Sequence, residues 1–182
     1  MNEEKRHINN RTIFAPATPL GESGLTVIRI SGVDTFAILS GIFSKKSENF
    51  SSVDFVNVET HTAQHGYLFD NNELIDEVVI TIFKTPNSFT GEDIAEISSH
   101  GGSYIYRKIS TLLSKRGIGH AEPGEFSKRA FLNEKMDLVQ AEAVADLIKA
   151  KTELSNKLAL KQLTGEFSAK IKELRENLIN YC

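Results

Sequence analysis

Cysteine is nearly absent from this sequence: one residue in 182, at the last position, Cys182. That count excludes a disulfide framework within the chain and a zinc site built on cysteines. Long apolar runs are missing as well. No stretch approaches the ~20 apolar residues of a membrane helix, and the charged N-terminal MNEEKRHINNR is followed by no signal-peptide core. An excess of positive charge is also lacking, since 21 Lys and Arg face 24 Asp and Glu for a formal net charge of -3. No whole-molecule field draws the chain to RNA or an anionic membrane, so any RNA contact requires a local patch. Neither G-x-x-x-x-G-K-[ST] nor G-x-S-x-G occurs, which removes a Walker-type nucleotide site and a serine-hydrolase elbow from these residues. The expectation is a cytoplasmic protein that spans no membrane.

What is present suffices for one full core and the start of a second domain, with 40% apolar residues over 182 positions. The chain changes character near residue 132. Before it, residues 12–15, 25–30, 55–58, 65–69 and 77–83 read as strands between Gly, Pro, Asn and Asp punctuation. Asp34 is placed to cap a helix whose Phe36, Leu39, Ile42 and Phe43 share a face, and 103–116 reads as a second helix that Gly117 stops. A third short helix is expected to open at Pro123 and run through Phe126 and Ala130. The pattern is α+β. After Asn133 there is no proline and one glycine, and two helical segments are expected, the second unbroken from about residue 152. Its Leu154, Leu158, Leu163, Phe167, Ile171, Leu174 and Leu178 form one apolar stripe that needs a covering partner. The domain expectation is 1–132 and 133–182.

Three charged residues interrupt this plan. In a strand over 94–98, Ile94, Glu96 and Ser98 share one face and Ala95 and Ile97 the other. A partly buried carboxylate there calls for donors, such as paired N–H groups of a flat heterocycle or a guanidinium; the alternative is an exposed glutamate on an edge strand. Arg29 sits within Thr26-Val27-Ile28-Arg29-Ile30, either to pair with Glu96 or an anionic ligand, or to snorkel outwards. Lys135 lies at the entry to the first long helix, solvated or turned back towards the α+β domain by a cap at Asn133 or Asp137. His61 and His65 fall on one face of an extended segment about 13 Å apart at ~3.3 Å per residue, too far to share a metal. His100-Gly101-Gly102 reads as a tight strand-to-helix turn.

Four runs carry a resemblance: IFAPATP at 13–19, GLTVIRISG at 24–32, PNSFTGEDIAEISSHGG at 86–102 and PGEFSKRAFLNEKMDLVQAEAVADLI at 123–148. Together they closely resemble the N-terminal part of the MnmE (TrmE) family of tRNA-modification GTPases, from about residue 12 onward. The resemblance implies a mixed-sheet, dimerising, folate-binding domain similar in fold to the tetrahydrofolate domain of aminomethyltransferases, followed by a helical domain that is truncated here. It implies a homodimer, an MnmG-type flavoprotein partner, tRNA as the substrate of the complex, and formyl- or methylene-tetrahydrofolate as one-carbon donor. GTP, Mg and K belong to the family's inserted GTPase domain; that domain, the returning helices and the terminal Cys-x-Gly-Lys motif are not in these 182 residues. By motif, the family's folate-contacting positions fall on Arg29, Glu96 and Lys135. This chain alone is expected to be a folate-binding module without catalysis, or, in the second reading, a dimerisation scaffold without folate.

Overall fold

A computed structural model describes residues 11–180; the charged stretch 1–10, Tyr181 and Cys182 lie outside the described residues. The chain divides into two compact units, Met1–Phe126 and Ser127–Cys182.

The first unit is built on one sheet of seven strands: β1 (Ile13–Pro16), β2 (Leu25–Ser31), β3 (Phe43–Ser44), β4 (Thr62–Asp70), β5 (Glu73–Phe83), β6 (Ile94–His100) and β7 (Gly119–His120). Their spatial order is β3-β4-β5-β6-β2-β1-β7. All neighbours run antiparallel except β1 and β7, which are parallel, so the sheet is mixed and the α+β expectation holds. Period-two alternation gives the sheet one apolar face. Phe14, Ile28, Ile30, Ile80, Ile82, Ala95 and Ile97 are fully buried there, beneath α1 (Thr35–Ser40) and α2 (Ser103–Lys115). Helix α2 contributes Ile109, Leu112 and Leu113 to this core. Each such side chain removed from water stabilises the fold by about 1.5–3 kcal/mol.

Local chemistry explains where the expected elements moved. Residues 55–58 form a turn and not a strand: the Asp54 carboxylate accepts a hydrogen bond from Val56 N (2.9 Å) and another from Asn57 Nδ2 (2.6 Å). That is an aspartate-nucleated turn, a competitor of strand pairing. Phe55 still reaches the core, edge-on to Phe43 at 5.2 Å. Helix α1 is shorter than its apolar spacing suggests, since Phe43 arrives on β3. Asp34 precedes it without a side-chain cap, its carboxylate accepting instead from Thr12 Oγ1 at 3.3 Å. Gly66 is required by close approach, because a Cβ there would lie 2.4 Å from both the Phe43 ring and Ser44 O. Pro123 is not a first helical residue; Gly124 follows at φ +77° and α3 spans Glu125–Leu132.

In the second unit α4 (Leu138–Lys149) begins with a reciprocal cap: Gln140 N donates to Asp137 Oδ1 (2.8 Å), and Asp137 N donates to Gln140 Oε1 (2.9 Å). The segment expected as one long helix is two, α5 (Glu153–Leu163) and α6 (Glu166–Asn180), because Gly165 takes φ +81° between them. Leu154, Leu158, Phe167, Ile171, Leu174 and Leu178 of the expected stripe are exposed. Among the described residues no helix is long and apolar enough to cross a membrane.

The end of β6 carries a titratable clamp. The Asp76 carboxylate on β5 accepts from His100 N (2.8 Å) through one oxygen and lies 2.7 Å from His100 Nδ1 through the other. That hydrogen bond, reinforced by the charge of Asp76, raises the His100 pKa above the ordinary 6.5. A raised histidine contributes stability that is fully present below pH 6.5 and is lost as pH rises through the folded-state value. By NMR titration His100 should titrate above 6.5 and return towards it in Asp76→Asn. Relative to His100→Gln, the native chain's advantage in urea unfolding should shrink as pH rises through that value; titration of His100 at or below 6.5 would contradict the assignment.

Candidate functional site

The β2–β6 register places Arg29 directly opposite Glu96, with Ala15 on the outer side of Arg29 and Thr81 beyond Glu96. All four lie on the sheet face away from the isoleucines, by the same alternation that buries Ile28 and Ile97. The pair is direct. Arg29 Nε and Nη2 both donate to Glu96 Oε1, at 2.8 and 2.7 Å. Their side chains keep only 28% and 24% of their surface exposed, enough shielding for the pair to outweigh an ordinary surface contact. Because both donors converge on one oxygen, Glu96 Oε2 accepts no hydrogen bond among the described residues. Glu96 is therefore not on an edge strand: β6 pairs with both β5 and β2 at the middle of the sheet.

Two aromatic rings flank the guanidinium. Arg29 Cζ stands 5.2 Å from the Phe89 centroid and 5.8 Å from that of Phe126, within cation–π range. Phe89 is carried by the segment between β5 and β6, which hydrogen bonds fasten to β2: Ser31 Oγ meets Thr90 Oγ1 (2.8 Å) and donates to Glu92 Oε2 (2.6 Å). Neither ring stood out in the sequence, although both sit inside the quoted motifs, as PNSF and PGEF. The one available signal was an aromatic two residues from a glycine in each.

Beside Arg29 opens a pocket of about 360 Å³ whose walls include Pro16, Arg29, Pro123, Gly124 and Phe126. Its largely apolar lining, with one guanidinium and the carboxylate of Glu122, is the composition of a small-molecule site, near the lower limit of the usual ~300–1,000 Å³. It has room for the flat head of a ligand. Glu96 does not line this pocket; its carboxylate stands beside it, bonded to Arg29 of the wall. Lys135 lies in the other unit, exposed on the bend between α3 and α4, where its N–H donates to Ala130 O at 2.9 Å. Of the three expected site residues the structure thus joins Arg29 and Glu96. His61 and His65 serve other contacts: His61, at φ +60°, lies edge-on to Phe83, and His65 Nε2 is 2.6 Å from Glu77 Oε1.

This is an α+β domain with a ligand-sized pocket held beside a half-buried ion pair. The family model described as "GTP-binding protein TrmE N-terminus" matches residues 12–135, and that described as "MnmE helical domain" matches residues 138–182. Among curated relatives, a tRNA modification GTPase MnmE of Flavobacterium johnsoniae is 46% identical over 96% of this chain and 37% of its own length. Proteins of the same name from Cytophaga hutchinsonii and Streptococcus thermophilus are 46% and 44% identical over 94% and 93% of this chain, and 36% of each relative. The chain belongs to the TrmE (MnmE) family, its residues 12–135 matching the N-terminal domain and 138–182 the helical domain. It spans little more than a third of the length of these relatives.

A double-mutant cycle measures the pair at this site. Arg29→Met and Glu96→Gln should each lower the unfolding free energy, with a coupling of about 1–3 kcal/mol between them by urea denaturation. Strict additivity would mean that the two side chains do not stabilise one another.

Proposed function

We propose that this chain is the folate-binding module of a tRNA-modification GTPase. The observation that carries the reading is the fixed Arg29–Glu96 pair, with one carboxylate oxygen unengaged and a pocket beside the guanidinium. A reduced pterin offers neighbouring N–H donors on a flat ring, and a rigid carboxylate is the acceptor such donors require. Arg29, steadied by Phe89 and Phe126, offers its remaining N–H donors to the ligand's carbonyl oxygen or to its anionic tail. Lys135 is the second cation of the reading, and its motif is the support for including it. The bound folate, as a formyl or methylene derivative, supplies a one-carbon unit. The residues of this chain bind and orient it.

In the full-length protein the same reading places a homodimer through this domain, an MnmG-type flavoprotein partner, tRNA as substrate, and GTP with Mg and K in a separate GTPase domain, all in the cytoplasm. The exposed apolar side chains of α5 and α6 are then covered by helices from the rest of that protein. A scaffold reading without folate has one observation in its favour: Arg29 and Glu96 satisfy each other and need no ligand to be stable.

Calorimetric titration with 5-formyltetrahydrofolate decides between them. The native chain should bind, and Glu96→Ala and Arg29→Ala should each weaken binding about 10- to 100-fold, the usual cost of losing a hydrogen bond to a charged group. No heat from the native chain would leave the scaffold reading. For the dimer, light scattering at micromolar concentration should return twice the monomer mass, and a monomer would contradict it.

A further inference from the structure

A second groove lies on the helical side of the sheet, unconnected with the pair described above. Its wall is the outer face of α2, where Tyr104, Arg107, Lys108 and Lys115 recur at helical spacing. The opposite wall is the β4–β5 hairpin, whose turn residues Asn71 and Asn72 both take positive φ. Two ion pairs brace the hairpin against the helix: Lys108 Nζ to Glu73 Oε1 at 2.6 Å and Lys115 Nζ to Asp70 Oδ2 at 3.0 Å. Between them is a cavity of about 400 Å³, larger than the pocket beside Arg29.

Two features of this groove stand outside the core. Arg107 donates from Nε to Ser103 O at 3.2 Å, its only hydrogen bond among the described residues, so the terminal nitrogens of its fork are unengaged. One turn away Tyr104 is 60% exposed, far more than a tyrosine needed for the core, with Lys108 Nζ 5.6 Å from its ring centroid. An aromatic face and an open guanidinium one helical turn apart match the two parts of a nucleotide, a base to stack and a phosphate to bind in bidentate fashion. The carboxylates of Asp70 and Glu73 add acceptors suited to ribose hydroxyls or an exocyclic amine. The volume suits one nucleotide and not a duplex.

We propose that the groove between α2 and the β4–β5 hairpin binds a nucleotide, its base against Tyr104 and its phosphate on Arg107. The source is an unpaired residue of an RNA or a free nucleotide, and the two share this chemistry. Choosing RNA rests on reading the chain as part of a tRNA-modifying protein; the groove's geometry does not. With three cations against two carboxylates on its walls, the site binds weakly and loses affinity with salt.

The test is fluorescence anisotropy of a labelled unstructured ribo-oligonucleotide with the whole chain, alongside competition by GMP and AMP. Tyr104→Ala and Arg107→Ala should each weaken binding about 5- to 100-fold, Tyr104→Phe should retain it, and Arg107→Ala should also flatten the salt dependence by about one phosphate contact. Both residues are exposed, so their thermal midpoints should match the native chain's. An oligonucleotide bound and not displaced by mononucleotides assigns the groove to RNA; mononucleotides that bind equally well, with the same mutational losses, assign it to a free nucleotide. Failure of both probes to bind, or binding indifferent to both alanine variants, overturns the proposal. The folate titration of Tyr104→Ala should equal that of the native chain, so either reading can fail without the other.

Discussion

The register between β2 and β6 is the constraint from which the rest of the first unit follows. Ile28 opposite Ile97 and Ile30 opposite Ala95 are fully buried, and this fixes which residues meet across the strands. A slip of one residue would turn every side chain to the opposite face, sending Arg29 or Glu96 into the apolar layer beneath α1 and α2. Burying either charge unpaired costs several kcal/mol, so the isoleucines and the ion pair enforce the same alignment from opposite faces. The position of the site is thereby decided in the core. Phe89 then packs against a guanidinium whose place is already set, and the turn carrying Gly124 completes the pocket beside it.

Helix α2 shows how one element serves the core and a separate surface. Its inner stripe of Ile109, Leu112 and Leu113 is spent on the sheet, which fixes the rotation of the helix. Tyr104 and Arg107 then have to face outwards, and the hairpin of β4 and β5 is held opposite them by Lys108 and Lys115. Exposed ion pairs of this kind add little stability, typically under ~1 kcal/mol each. Their consequence here is geometric, since they hold two walls at a fixed separation.

Sequence pattern carried the parts of this fold that depend on short-range chemistry. Strand composition in 25–30 and period two in 94–98 located β2 and β6, and with the latter the face of Glu96; of the two residues read as candidate caps for α4, Asn133 and Asp137, Asp137 is the one that caps it. Where two local signals competed, pattern failed. Residues 55–58 have strand composition, but Asp54 sits where its carboxylate can seize the backbone N–H of Val56. The two-residue strands β3 and β7 have no periodicity to read and exist only because a neighbour offers backbone partners. The aromatic flanks of Arg29 lie some 60 and 97 residues away along the chain, at Phe89 and Phe126, and no spacing rule reaches so far. Sequence motif named Lys135 as readily as Glu96, whereas the choice for Arg29 between pairing with Glu96 and turning outwards was decided only by cross-strand geometry.

The second unit separates helix formation from helix burial. Reciprocal caps at Asp137 and Thr152 and the left-handed Gly165 set where α4, α5 and α6 begin or break, all from residues within three or four positions. Burial is another matter: Ala143 is the fully buried residue of α4 and Ala159 that of α5, while α6 has none among its described residues. Short helices in water draw most of their stability from packing an apolar face, so well-capped helices left with leucines in solvent are individually marginal. Glycine at 165 makes this worse, since breaking the helix there forfeits the hydrogen bonds that would have carried it through. A cover of apolar side chains over Leu158, Phe167, Ile171 and Leu174 would contribute up to about 1.5–3 kcal/mol at each position, more than the caps together. The ends of these helices are thus encoded locally, whereas their stability depends on what packs against them.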